Sequence, residues 1–265
     1  ALAEAQAAVG NGELAKTTLR RLSQVASFNV GWLTRGAAAQ MRIGDLEGAE
    51  YTLSKVLLAD PANQPAKVLK TRLSIRQNKL GDAEKQVQAL LGQGDGQADA
   101  LRLLGEVRLS QGRAAEAVDA YRRAYASDSG SDSAFGLYGA LMRAGQYRDA
   151  AGVMQAWQRR NPADTAAGHA LGEAWLALDD LPKAGDVYAE LIRGNDKDAR
   201  AHNNLANVLL RRNDPAGALR HAERARALAP TQPQVNDTLG WVLVQQGQVE
   251  KGLRYLREAS LRAPD

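Results

Sequence analysis

Apolar residues along this chain fall at helical spacing in short blocks, such as Leu205, Leu209 and Leu210, or Leu239, Val242 and Leu243. The blocks alternate with turn residues from one end to the other, which predicts short amphipathic helices joined by tight turns. Beneath that alternation lies a longer period. The small residues Ala49, Ala83, Ala117, Ala150, Ala184, Ala218 and Gly252 are spaced 34, 34, 33, 34, 34 and 34 apart. Gly44, Asn78, Gly112, Gly145, Asp179, Asn213 and Gly247 repeat with the same spacings, and all are residues that tolerate positive φ. Pro61, Pro162, Pro230 and Pro264 stand whole numbers of repeats apart.

Each class has its own physical task. The Gly/Asn/Asp position closes the first helix of a pair with a left-handed cap that turns the chain back. Five residues later the small residue sits where the second helix crosses the first. Proline, just past the second helix, stops its propagation. A period near 34 built from these marks predicts an all-α array of antiparallel helix pairs. The units begin near 1, 30, 64, 98, 131, 165, 199 and 233 and form one continuous array over 1–265. The first, 1–29, reads as truncated, with Gly12 at its turn and Thr17 in the place of alanine. In the unit 64–97, Leu69 and Leu73 lie one residue out of phase with Asn78, so an irregular first helix or turn is expected. The glycine-rich stretch 91–97 is the expected joint of the array. The chain opens inside a helical pattern and closes on Ala-Pro-Asp265, so it reads as part of a longer protein.

These marks resemble the tetratricopeptide repeat. One unit reads His202, Leu205-Ala206, Leu209, Asn213, Ala218, Ala222, Ala225, Pro230. The next reads Asn236, Leu239-Gly240, Leu243, Gly247, Gly252, Leu256, Ala259, Pro264. The resemblance implies a right-handed superhelical solenoid whose first helices line a concave groove that binds a peptide or a partner domain.

Composition narrows the chemistry. With 45% apolar and 24% charged residues the chain is of ordinary globular type, and with only 5% aromatics its helix contacts rest on Ala, Leu and Val. There is no cysteine, which removes disulfides, thiolate metal sites and cysteine nucleophiles. No run of about 18 apolar residues is present, so no membrane-spanning helix is expected. The net charge of +4 is confined to residues 199–265, where ten basic residues face six acidic ones. That bias favours acidic partners at this end and is too small for a nucleic-acid footprint.

Repeat position places Phe135, Gly139 and Met142, then His169, Glu173 and Leu176, on the groove face. Arg200, Asn203, Asn207 and Arg211 follow, then Gln234, Asp237, Trp241 and Gln245. Asn203, Asn204 and Asn207 resemble the asparagines with which some family members hold a ligand's backbone or terminal carboxylate. An asparagine amide donates and accepts at once, which suits an extended peptide; the alternative is a bridge between neighbouring helices. The two-carboxylate clamp of that family also needs lysines, and this chain offers Arg200 and Arg211 in their place. Trp241 reads either as a groove anchor for an apolar side chain or sugar ring, or as packing for a further repeat.

Other candidate chemistry fails on spacing. His169, His202 and His221 lie on different repeats, and the only His, Asp or Glu at i+3 or i+4 from any of them is Glu173 after His169, so neither a metal nor a cofactor is expected. Residues 92–96 lack the Lys-Ser/Thr of a phosphate loop. Residues 128–132 lack the closing Glu of a calcium loop, and Ser131 or Asp132 is expected to cap the next helix. The chain therefore reads as a non-enzyme. Finally, the stretches 202–206, 229–230 and 237–247 resemble the end of the tetratricopeptide lipoproteins of the PEP-CTERM/exosortase system, which accompany bacterial exopolysaccharide loci. That resemblance implies a periplasmic or outer-membrane-associated scaffold, its lipid-bearing cysteine upstream, docking export or sorting machinery. Two alternatives stay open: a cytoplasmic peptide-binding adaptor or co-chaperone, and a direct binder of acidic polysaccharide.

Overall fold

A computed structural model describes residues 2–25, 29–92 and 97–262. Among these the chain is all-α, in eight successive helix–turn–helix segments. In chain order these are α1 (Leu2–Ala8) and α2 (Gly12–Val25), α3 (Val30–Arg42) and α4 (Leu46–Ala59), α5 (Gln64–Arg76) and α6 (Leu80–Leu91), and α7 (Gln97–Ser110) and α8 (Ala114–Ser127). Then come α9 (Ser131–Arg143) and α10 (Tyr147–Arg160), α11 (Thr165–Ala177) and α12 (Leu181–Gly194), α13 (Ala199–Arg211) and α14 (Pro215–Leu228), and α15 (Pro233–Gln245) and α16 (Val249–Arg262). Two compact units, Ala1–Ala140 and Leu141–Asp265, divide the chain within α9. The expected joint at 91–97 rests mostly on residues 93–96, outside the described residues. On either side of them, α6 and α7 share one core through Val87, Leu90, Leu103 and Val107.

All seven expected turn residues have positive φ. The glycines Gly44, Gly112, Gly145 and Gly247 lie at 72–79°, and Asn78, Asp179 and Asn213 at 58–60°. The six alanines five residues further on are fully buried, and Gly252 is buried in their place. A β-carbon at Gly252 would stand 2.6 Å from the carbonyl oxygen of Gly240. The crossing of α15 and α16 is thus too close even for a methyl group. Pro61, Pro162 and Pro230 each follow their helix by two residues, as expected, while Pro264 lies outside the described residues.

Two expectations are corrected. The first turn is made by Gly10, with φ 85°, and not by Gly12, which opens α2. Ala15, fully buried, then takes the crossing position assigned to Thr17. Gly10 and Ala15 stand 34 residues before Gly44 and Ala49, so the first unit keeps the period. The unit 64–97 is also regular up to Leu91. Its Asn78 makes the left-handed turn, and Ala66 and Leu73 fill the core while Leu69 packs at the edge. The phase error is absorbed by leaving that one leucine half-buried.

Helix pairs in each unit are fitted by size. In the first unit, the Tyr121 ring lies between Gly105 and Gly136, and a β-carbon at either would overlap it. In the second unit, a β-carbon at Gly172 would come within 2.6 Å of the Tyr188 ring, and one at Gly240 within 2.7 Å of Leu256. Between these two, the same positions are Ala206 and Ala222, both fully buried in one cluster.

Candidate partner-binding groove

Of the groove residues expected from repeat position, Phe135, Gly139 and Met142 lie on α9, where the two units divide, and the rest lie on α11, α13 and α15 of the second unit. Asp164 and Asp198 cap α11 and α13, accepting from the backbone of Ala167 and Ala201, which fixes where each begins. Polar residues at i, i+4 and i+8 along α13 then share one side of it. On that side Arg200 pairs with Glu173 of α11. At the far end of the helix Arg211 reaches the turn residue Asp179 at 2.6 Å. Both pairs are exposed, so they contribute little to stability, but each sets an acid beside an arginine.

Between these pairs sit the asparagines. Asn203 is 8% exposed, its amide donates a long bond of 3.5 Å to Asn204, and its buried Oδ1 accepts from no donor. Asn207 donates to the Thr238 hydroxyl at 3.2 Å, which in turn donates to the Gln234 carbonyl at 3.0 Å. Asn203, Asn207, Gln234, Asp237, Thr238 and Ser260 line a cavity of about 540 Å³. Asp237, Trp241 and Gln245 are exposed along α15, and Trp241 leaves half its surface open, 51%. Tyr188 of α12 is buried against Gly172 of α11. Burial pushes its hydroxyl above the usual phenol range, Glu173 adds to this, and Asn204 and Arg200 partly offset it.

His169 is set apart from the other expected groove residues. It is 7% exposed, and its Nε2 lies 2.9 Å from Asp198, the residue that caps α13. Burial pushes the Asp198 carboxyl up, but the Ala201 N–H and the His169 imidazole outweigh this and leave it below the usual range. His169 therefore ties α11 to the start of α13. The other two histidines meet each other, Nδ1 to Nδ1, at 3.0 Å. Helical spacing within one helix could not show either contact. A signal for the pair was present: in the repeat 98–130 the same two positions are Leu101 and Ala120, both buried. Two histidines replacing apolar residues in one repeat point to each other. Thr238 and Ser260 also escaped sequence reasoning, being small polar residues without a motif.

No group of three or more His, Asp or Glu able to hold a metal occurs among the described residues. No described helix is long and apolar enough to cross a membrane. In the loop 128–132, Asp128 accepts from the Gly130 N–H at 3.0 Å and from Arg102 at 2.9 Å. The residue that organises this turn is thus Asp128, and its carboxylate is already neutralised.

Comparison with known proteins agrees with this geometry. One tetratricopeptide repeat model matches residues 72–132 and 140–199, and a second such model matches 199–232, together more than half of the chain. No curated protein matches the sequence. A solved tetratricopeptide repeat protein from Parabacteroides merdae is similar over 89% of this chain and 94% of its own, with 15% identity and a TM-score of 0.65. MamA from Desulfovibrio magneticus is similar over 63% of this chain and 95% of its own, with 17% identity and a TM-score of 0.54. At these identities the likeness is one of fold. The periodic turns, the buried small residues at each crossing and the matching repeat models converge: the chain belongs to the tetratricopeptide repeat family, whose arrays are protein-interaction scaffolds.

Proposed function

We propose that this chain is a non-catalytic scaffold that holds an extended stretch of a partner protein against the α11–α13–α15 face. The observation that carries this reading is the buried, donor-less Oδ1 of Asn203 in the wall of the 540 Å³ cavity. A buried acceptor without a donor costs about 1–3 kcal/mol, so the Asn203 amide gains by turning into the cavity when a bound segment offers it a backbone N–H. Asn207, Gln234 and Asp237 offer further donors and acceptors along the same line, and Trp241 an exposed apolar surface beyond them. Arg200 and Arg211 are matched by Glu173 and Asp179, so the face holds little free positive charge. That favours an internal peptide segment over a terminal carboxylate or an acidic polysaccharide.

The setting we propose is exopolysaccharide export or protein sorting at the bacterial cell envelope, in the periplasm or at the outer membrane. The likeness of the last two repeats to the PEP-CTERM-associated lipoproteins supports it. The groove is tested by selecting displayed random peptides on the wild-type chain. Asn203→Ala with Asn207→Ala is expected to weaken the selected peptides about ten-fold or more. Peptides that bind both proteins equally would sink the groove reading. The setting is tested separately by fractionating cells of the native host, and recovery in the cytoplasm alone would refute it.

A further inference from the structure

His202 and His221 form a buried contact inside the repeat 199–232. His202, on α13, is 4% exposed, and His221, on α14, is half-buried. Their ring centroids are 5.2 Å apart, with the planes tilted by 32°. The Nε2 atom of His202 lies 3.2 Å from the backbone carbonyl of Asp196, in the turn between α12 and α13. A carbonyl only accepts, so His202 carries its proton on Nε2 and, while neutral, offers a lone pair at Nδ1. His221 must then donate its Nδ1–H across the 3.0 Å contact, which leaves its own Nε2 without a proton. The charged groups around the pair come from two elements. Asp196 places its carboxylate 3.6 Å from His202 Nε2 and is held by Arg224 of α14 at 2.5 Å. Arg220 of α14 adds positive charge beside His221.

We propose that the His202–His221 pair is a proton-sensitive latch that holds α13 to α14 near neutral pH and loosens on acidification. A first added proton enters at the Nε2 of His221, keeps the shared hydrogen bond, and places a charge in a half-buried site next to Arg220. A second would enter at the Nδ1 of His202, where one N–H would face another and two charged rings would repel. The folded pair accepts at most one added proton easily; the two rings in an unfolded chain accept two. Burial, then His202 and Arg220, hold His221 below its ordinary value of 6.5. For a histidine shifted this way, the stabilising contribution is complete above about 6.5 and is lost as the pH falls below it. Each proton excluded raises the opening constant by up to about ten-fold per pH unit.

The helix that loosens is the one bearing Asn203 and Asn207. If the groove reading above holds, a bound segment is released in the same pH range.

Two measurements on the full chain test the latch, neither of which involves a partner. In an NMR titration of the histidine rings from about pH 8 to about pH 5, the two rings are expected to titrate in separate steps. One should stay neutral well below the other's midpoint. In hydrogen exchange corrected for intrinsic rates, α13 and α14 are expected to lose protection on acidification faster than α11 and α12. His221→Asn takes up no proton itself, donates to neutral His202 and can turn its oxygen to accept from protonated His202, so it is expected to abolish that excess. Independent titration of both rings near their ordinary value would overturn the latch, as would equal pH dependence in wild type and His221→Asn. Should the variant not fold, the ring titration in the wild type decides alone. Failure of peptide binding with these results intact would count against the groove only.

Discussion

At the scale of single residues, the tightest constraint is the absence of a β-carbon. Tyr121 occupies the space that methyl groups at Gly105 and Gly136 would need, and its ring is too enclosed to swing aside. Gly105→Ala is therefore expected to destabilise by about 1–3 kcal/mol in urea unfolding, despite the better helix propensity of alanine. The left-handed turns carry a different constraint. Asn78 sits at φ 58° in a conformation that glycine adopts freely. Asn78→Gly is expected to be near neutral, and Asn78→Ala to lose about 1 kcal/mol by the same measurement. Such positions were legible in the sequence because one backbone or steric demand admits only two or three residue types. The first turn shows the limit. Gly10 and Gly12 both satisfy the demand, and only strict counting back from Gly44 chooses between them.

At the scale of the helix, boundaries are set by side chains that borrow partners from neighbouring elements. Asp198 caps α13 and accepts from His169 of α11, so one carboxylate fixes both the start of a helix and its contact with the one before. Asp198→Ala is expected to cost about 1–2 kcal/mol and to expose the first turn of α13 to hydrogen exchange. Asp198→Asn keeps the capping oxygen and should lose less. This joint use of a residue explains why the groove was legible only in outline. Repeat position put Asn203, Asn207, Asp237 and Trp241 on one face, and in the structure the first three line one cavity while Trp241 is exposed. It could not say that His169 would turn inward, because that depends on an aspartate 29 residues away that already has a local task.

At the scale of the whole molecule, the described helices pack chiefly on their neighbours in sequence within each unit, so damage should remain local. Gly105→Ala and Gly172→Ala lie in different units and share no partner. Their effects on hydrogen exchange are expected to stay within the altered repeat and those beside it, and their stability losses to add within about 0.5 kcal/mol. Propagation of the Gly105→Ala loss to α15 and α16 would contradict this picture. The fit between Gly172 and Tyr188, between Ala206 and Ala222, and between Gly240 and Leu256 carries one more consequence. The two helices of a repeat are matched to each other, large to small, whereas the period is common to all. A crossover between genes that falls at a repeat boundary moves each of these three pairs intact, and only one between α8 and α9 would part Tyr121 from Gly136. One that falls in the turn inside a repeat joins a tyrosine to an alanine, or leaves a glycine facing an alanine across an empty space. Selection should therefore tolerate lengthening or shortening this chain by whole hairpins and remove recombinants cut at the left-handed turns.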